Sequence, residues 1–282
     1  MGRPALSLLI CTRDRAEQLA RCLSALPTED IRAVGAEVVL VDNASSDATP
    51  DVLRAFARDA AYPVRVLREE TPGRSFALNA GVAAAQGDLI AFSDDDCYLG
   101  PGYLRTALSE FSRGTFQYAG GRILLHDPSD ARIAVNYSRR CRMFPPGSFL
   151  RPGVIQGANM IVTRKVLEKA GRFDEEMGAG SRFRCEDIDL LGRASMAGFT
   201  GAFIPALVVY HHHGRKPGAG TDALHRANAH GRGAYYAKFI LNGHLKYLLG
   251  WAWRSAAPWR MARIPDEIRG AREYARSRPP RG

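Results

Sequence analysis

Leu89-Ile90-Ala91-Phe92-Ser93-Asp94-Asp95-Asp96 is the stretch on which the reading of this chain turns. Four apolar residues read as a short buried strand, and the strand runs straight into three acids. Carboxylates held this close raise one another's proton affinity and oppose folding unless a cation neutralises them. A hard divalent ion does so through carboxylate oxygens while keeping positions open for phosphate oxygens. The competing reading is a solvated acidic turn, which the apolar run before it disfavours.

Upstream, the same pattern recurs. Residues 6–11 form an apolar strand leading into Thr12-Arg13-Asp14, residues 37–42 form another that ends on Asp42, and residues 64–67 a third. Helical periodicity lies between them at about 15–26, 49–58 and 75–85, with Gly87 as the stop of the last. This alternation predicts an α/β chain, with a mainly parallel sheet covered by helices on both faces. Ligands collect at the carboxyl ends of such strands, and those ends carry the polar residues here. The second half is less regular. Residues 122–125, 159–162 and 206–210 read as strands, and 165–170 and 186–197 as helices. Residues 227–253 are aromatic, basic and partly helical.

The bulk composition limits the alternatives. With 282 residues, 46% hydrophobic and 24% charged, the chain is neither disordered nor too small for a core. No run of about 18 apolar residues occurs, and residues 5–11 read as a first strand rather than a leader peptide. Five scattered cysteines without a Cys-x-x-Cys pair support neither a zinc ribbon nor a disulfide framework; reduced thiols in a cytoplasmic protein are expected. The net charge of +10 is uneven. From Gly231 onward eleven Lys or Arg face three acids, a local +8, which leaves the first 230 residues near neutral at +2. A basic tail on a neutral body suggests a docking element, and the Arg/Pro-rich end, 276–282, reads as disordered. Nucleic-acid binding is a weaker reading of this charge and is not expected.

Several motifs carry chemistry beside a structural alternative. Asp42-Asn43-Ala44-Ser45-Ser46-Asp47 is either an Asx turn capping a helix or a strand-end acid that receives a base or ribose. Gly73 to Gly81 lacks the Gly-x-Gly-x-x-Gly and Walker patterns, which disfavours dehydrogenases and P-loop kinases. Arg74 in it suits a phosphate or a surface ion pair. Glu186-Asp187 stands at a helix start, where the dipole favours acids and where a carboxylate can also deprotonate a hydroxyl. His211-His212-His213 follows a strand, so His211 and His213 share one direction. An all-histidine zinc site is the rival there, but the aspartates favour manganese or magnesium.

In this order the motifs resemble glycosyltransferase family two, the inverting family with the GT-A nucleotide-sugar fold. The resemblance runs from Ser7 to about Arg215 through Cys11-Thr12-Arg13, Val41 to Asp47, Gly73 to Gly81, Ala85-Gln86-Gly87-Asp88, Phe92 to Asp96, Gly157-Ala158-Asn159, Gly171 to Glu175 and Glu186 to Leu190. It implies a GT-A three-layer sandwich over 1–225, with a donor half of about 1–100, an acceptor half of about 101–225, and a basic helical extension over 226–282. It implies donor contacts at Thr12, Arg13, Asp42, Arg74, Asn79, Asp94 and Asp95. It implies Mn2+ or Mg2+ at Asp96 with His211 or His213, Asp187 as catalytic base, and Glu186 and Asn159 on the acceptor side. The implied partners are a nucleotide-diphosphate sugar, UDP-linked first, and a hydroxyl acceptor, free or lipid-linked. The extension reads as a lid or as a face resting on anionic membrane at the inner cell surface. A silent sugar-binding module and a sugar nucleotidyltransferase are the alternatives. The latter uses a Gly-rich loop after its first strand, and Thr12-Arg13-Asp14 is not one.

Overall fold

The computed structural model describes residues 3–255 and 261–278. Trp259 and the last four residues lie outside the described residues. Strands β1 (Leu6–Thr12), β2 (Glu37–Asn43), β3 (Val64–Glu69) and β4 (Leu89–Asp94) pair in parallel in the order β3-β2-β1-β4. Alternate side chains explain their burial on both faces. Leu6, Leu8 and Ile10 pack with Leu19, Cys22 and Leu53, while Leu9 and Cys11 pack with Ala77 and Leu78. One outer layer comprises α1 (Ala16–Ser24), α2 (Thr28–Ala33), α3 (Thr49–Asp59) and α5 (Tyr103–Ser112). The other comprises α4 (Arg74–Ala84), α6 (Arg164–Ala170), α7 (Glu186–Met196) and α8 (Ala219–Leu241). The expected three-layer α/β sandwich is what the chain forms.

Beyond β4 the sheet becomes mixed. β8 (Met160–Thr163) runs antiparallel to both β4 and β6 (Tyr118–Leu125), and β6 is parallel to β9 (Gly201–His211). Two three-residue strands, β7 (Arg142–Phe144) and β5 (Cys97–Leu99), flank β9 antiparallel to it. Six of these nine strands point one way, so the sheet remains mainly parallel. The register between β6 and β9 shifts between Gly120 and Arg122. Gly121 is required there, since a Cβ would lie 2.0 Å from the Leu207 carbonyl oxygen. After this bend β9 meets β5, pairing His211 with Cys97.

Three expectations are revised. Gly87 is no helix stop, because α4 ends at Ala84; a Cβ on Gly87 would instead lie 2.5 Å from the Ser7 nitrogen, so glycine is there for close approach. The division between residues 225 and 226 falls inside α8, whose Tyr235, Tyr236 and Phe239 share the apolar layer of Leu9 and Val41. Lastly, the described part of the Arg/Pro-rich end is ordered: α10 (Ile264–Arg276) reaches Arg276, and Arg278 bonds Glu176 at 2.9 Å. Helix α9 (Lys246–Ser255) lies between α8 and α10. No helix among the described residues is long and apolar enough to cross a membrane.

Candidate active site

Parallel register brings the polar strand ends together. Thr12 stands beside Asp42, and Cys11 beside Asp94. The three acids then diverge to different partners. Asp94 is paired with the Arg74 guanidinium, whose Nε is also 2.9 Å from Glu186 Oε1. Asp95 accepts from the Thr12 hydroxyl at 2.6 Å and pairs with Arg15 Nε at 3.0 Å. Asp96 meets Arg15 Nη2 at 2.5 Å and His211 Nε2 at 3.2 Å. Burial pushes Asp95 up to about 6, with Arg15 and Thr12 opposing it. Burial acts the same way on Asp96, but the hydrogen bond and charge of His211, with Arg15, prevail and hold its carboxyl below the usual range. Burial would lower His211, yet its bond to Asp96 wins and raises it.

These residues fit a divalent cation. Ligand atoms of Asp94, Asp96, Cys97 and His211 lie within 4.8 Å of one another, and His211 Nδ1 is buried without a hydrogen-bond partner among the described residues. Carboxylate oxygens and one imidazole suit manganese or magnesium. Cys97 Sγ is the soft member of this set, and a hard ion prefers the carboxylate oxygens beside it. His213 shares the side of His211, with ring centroids 4.8 Å apart, but its nitrogens are used. Nδ1 accepts from the Arg215 amide at 3.0 Å, which leaves Nε2–H to donate to the Ala131 carbonyl at 3.0 Å. It is a structural histidine.

Asp187 faces this cluster from the first turn of α7. Its Oδ2 accepts from the Gly157 amide at 2.8 Å and its Oδ1 from the Ile188 amide at 2.6 Å. Burial, then the charge of Glu186, pushes the carboxyl up to about 7, although both amides and Arg74 oppose the shift. Cys185, just before α7, has φ 84°, a left-handed conformation that costs a non-glycine residue about 1–3 kcal/mol. That turn sends Glu186 to Arg74 and Asp187 to the cleft.

One cleft of about 930 Å³ is lined by Thr12, Arg13, Arg74, all three aspartates, Glu186, Asp187 and His211. Asp42, Asn79, Asn159 and His213 do not line it. Asp42 accepts from the Ser45 amide at 3.0 Å and from Arg68 at 2.5 Å, as an Asx turn would have it. Asn79 clamps α4 to the loop before α7, donating to the Phe173 carbonyl at 3.1 Å and accepting from its amide at 2.9 Å. Asn159 is fully buried, bonded to Tyr103 at 2.7 Å and to the carbonyls of Arg122 and Leu207 at 2.9 and 3.0 Å. Sequence reasoning missed Arg15, whose place after a strand-end loop was the available signal. It also missed Arg184, Arg215, Arg232 and Arg254, which line the cleft from distant segments that carry no local signal.

With this geometry in view, comparison with known proteins points one way. The model of the family described as glycosyl transferase family 2 matches residues 7–170. Glycosyltransferase AglE of Haloferax volcanii is 26% identical over 208 residues, covering 74% of this chain and 67% of AglE. The mannosyltransferase PcManGT from Pyrobaculum calidifontis, solved with GDP-Man and Mn2+, is similar at TM-score 0.69 and 21% identity over 99% of this chain and 77% of that one. S. aureus TarS 1-349 in complex with UDP-GlcNAc is similar at TM-score 0.61 and 16% identity, over 97% and 81%.

Proposed function

The chain belongs to glycosyl transferase family 2, and from that premise we propose that it moves a sugar from a nucleotide-diphosphate donor to a hydroxyl acceptor with inversion, Asp187 serving as general base. The observation that carries this reading is Arg74, which bonds both Asp94 and Glu186 and so sets the acid cluster and the base against each other across one cleft. Thr12 and Asp95 form the floor for the ribose, and Arg13 and Arg74 attract the diphosphate.

The chemistry follows from what these side chains hold. Two amides fix the Asp187 carboxylate, and its remaining lone pairs are free to take the acceptor proton. As that O–H bond breaks, the oxygen attacks the anomeric carbon from the face opposite the donor phosphate. The anomeric C–O bond breaks, and its electron pair leaves with the nucleoside diphosphate. A divalent cation on Asp94, Asp96 and His211 would supply, when bound, neutralisation of the charge growing on that diphosphate. Glu186, tied to Arg74, keeps the base in line with the donor side.

The similarity to succinoglycan biosynthesis protein ExoU of Rhizobium meliloti, 28% identical over 204 residues, supports polysaccharide synthesis as the setting. A UDP-sugar is the first donor to test, by analogy with TarS, and GDP-mannose the second, by analogy with PcManGT. The exposed apolar face of α9 and the basic charge around it support peripheral docking on the anionic inner face of the cell membrane. The deciding experiment screens nucleotide sugars against the full chain with Mn2+ or Mg2+, reading thermal stabilisation and transfer. Stabilisation that needs both nucleotide and metal is expected. Full activity in excess chelator would remove the cation from this reading, and a product of retained anomeric configuration would remove inversion.

A further inference from the structure

Beyond Asp187 the cleft wall is cationic, and the C-terminal helices build it. Arg184, three residues ahead of Asp187, lines the cleft and makes no ion pair among the described residues. Arg232 of α8 lines it too, fixed at 2.8 Å from Glu267 Oε1, while Glu267 Oε2 accepts from the Trp251 indole at 2.7 Å. Arg254 of α9 reaches the same wall, although only 7% of its surface is exposed. The charges of Arg232 and Arg184 both act on the Cys185 thiol, and those of Arg254 and Arg232 on the Tyr236 hydroxyl. All three line the same cleft, and Gly231, the neighbour of Arg232, packs against the Arg184 backbone. Glycines let α8 approach the backbones of Arg184 and Glu267 closely. A Cβ on Gly231 would lie 2.6 Å from the Arg184 nitrogen, and one on Gly233 would lie 1.8 Å from the Glu267 carbonyl oxygen.

The carboxylates on this side are already engaged. Glu186 pairs with Arg74, and Asp187 accepts from two amides. Arg184, Arg232 and Arg254 thus line one cleft, with Glu267 paired to Arg232. Such a site suits an oxyanion with several oxygens, which guanidinium forks bind in pairs. Next to Arg254 the surface changes character. Trp253 is 76% exposed, Leu249 72% and Leu245 65%, all on or just before α9. An anion site bordered by exposed apolar side chains fits an amphiphile.

We propose that this wall is a phosphoryl subsite: the acceptor carries a phosphate or diphosphate beside its reacting hydroxyl, held by Arg184, Arg232 and Arg254, with its hydrophobic chain along the exposed face of α9. The proposal rests on the reading of Asp187 as base and of the aspartate side as donor site. It makes the acceptor a lipid-linked phosphoryl compound.

The test fills the donor side first. The full chain, saturated with nucleoside diphosphate and Mn2+, is titrated calorimetrically with a short prenyl diphosphate below its micelle concentration. An alkyl glucoside of matched chain length serves as the uncharged control, and inorganic diphosphate as the chain-free one. The prenyl diphosphate should bind at least about tenfold tighter than the glucoside. Arg184→Gln should weaken it about tenfold or more and Arg184→Lys much less, with nucleotide affinity unchanged in both. Equal binding of glucoside and prenyl diphosphate would overturn the subsite, as would undiminished binding by both Arg184→Gln and Arg254→Gln. Inorganic diphosphate binding as tightly as the prenyl compound would remove the apolar half of the proposal. If Arg184→Gln lost nucleotide affinity, this arginine would belong to the donor side and the proposal would fail. The transferase reading is judged separately, by nucleotide binding and by Asp187→Asn.

Discussion

On the side of the cleft proposed for the donor, Thr12 and Asp94 to Asp96 hang from the ends of adjacent parallel strands, each placed by the strand beside it. On the side proposed for the acceptor, Asp187, Arg184, Arg232 and Arg254 come from a loop and three helices, and glycines let α8 pack closely on the backbones of Arg184 and Glu267. The first kind of construction is local in design: an apolar strand with a polar last residue suffices, and the sheet aligns the rest. The second kind exists only after the whole chain has collapsed. A donor site built on register can serve many enzymes unchanged, while an acceptor wall built on packing can be remodelled without disturbing it.

The largest expected effect tests whether the two sides divide the labour this way. Asp187→Asn should cut transfer by about 10²–10⁴-fold. Nucleotide and metal binding, measured by thermal shift, should stay near wild type. Normal turnover in this variant would end the assignment of the base. The pH profile comes next. The Asp187 carboxyl is raised to about 7 by burial and must be ionised to accept a proton. The kcat/KM of the wild type should therefore rise with pH through about 7, falling about tenfold per unit below it. A profile flat between pH 5 and 8 would contradict an acceptor-side base of this kind.

Two smaller effects sharpen the contrast. Asn79→Ala should destabilise the fold by about 1–3 kcal/mol, because it leaves the Phe173 amide and carbonyl without their partner. Its nucleotide affinity should be unchanged in urea-free buffer. A variant of wild-type stability with lost nucleotide binding would return Asn79 to the donor site. Leu249→Gln, on the exposed face of α9, should alter stability by no more than about 0.5 kcal/mol. Its effect should appear in sedimentation with anionic vesicles, where binding weakens. Equal sedimentation of Leu249→Gln and a Trp253→Gln partner with the wild type would argue that this face does not meet lipid.

Legibility in the sequence followed the same division. Strands ending at Thr12, Asn43 and Asp94 were readable because burial on both faces leaves an apolar run, and the change to polar residues marks where the sheet stops. Short elements were not readable. β5 and β7 have three residues each and no periodicity to detect, yet β5 is what sets His211 beside Asp96. Polar residues near the site were over-read for a related reason. Asn79, Asn159 and His213 look like binding groups in a linear chain, and each instead bonds backbone groups that would otherwise be buried unpaired. Aromatic residues of the basic end were read as a separate extension, although Tyr235, Tyr236 and Phe239 complete the core layer under α4 and α7.

By itself, then, the sequence determined the parallel half of the sheet, the acid cluster at its strand end, and the acidic pair Glu186-Asp187 at a helix start. Those features depend on neighbours a few residues away, and hydrophobic period and helix polarity encode such neighbours directly. Tertiary structure alone decided which acid meets which arginine, which histidine turns to Asp96, and which cations line the cleft beyond Asp187. Those choices depend on side chains up to about a hundred residues apart, and only a packed core fixes their distances.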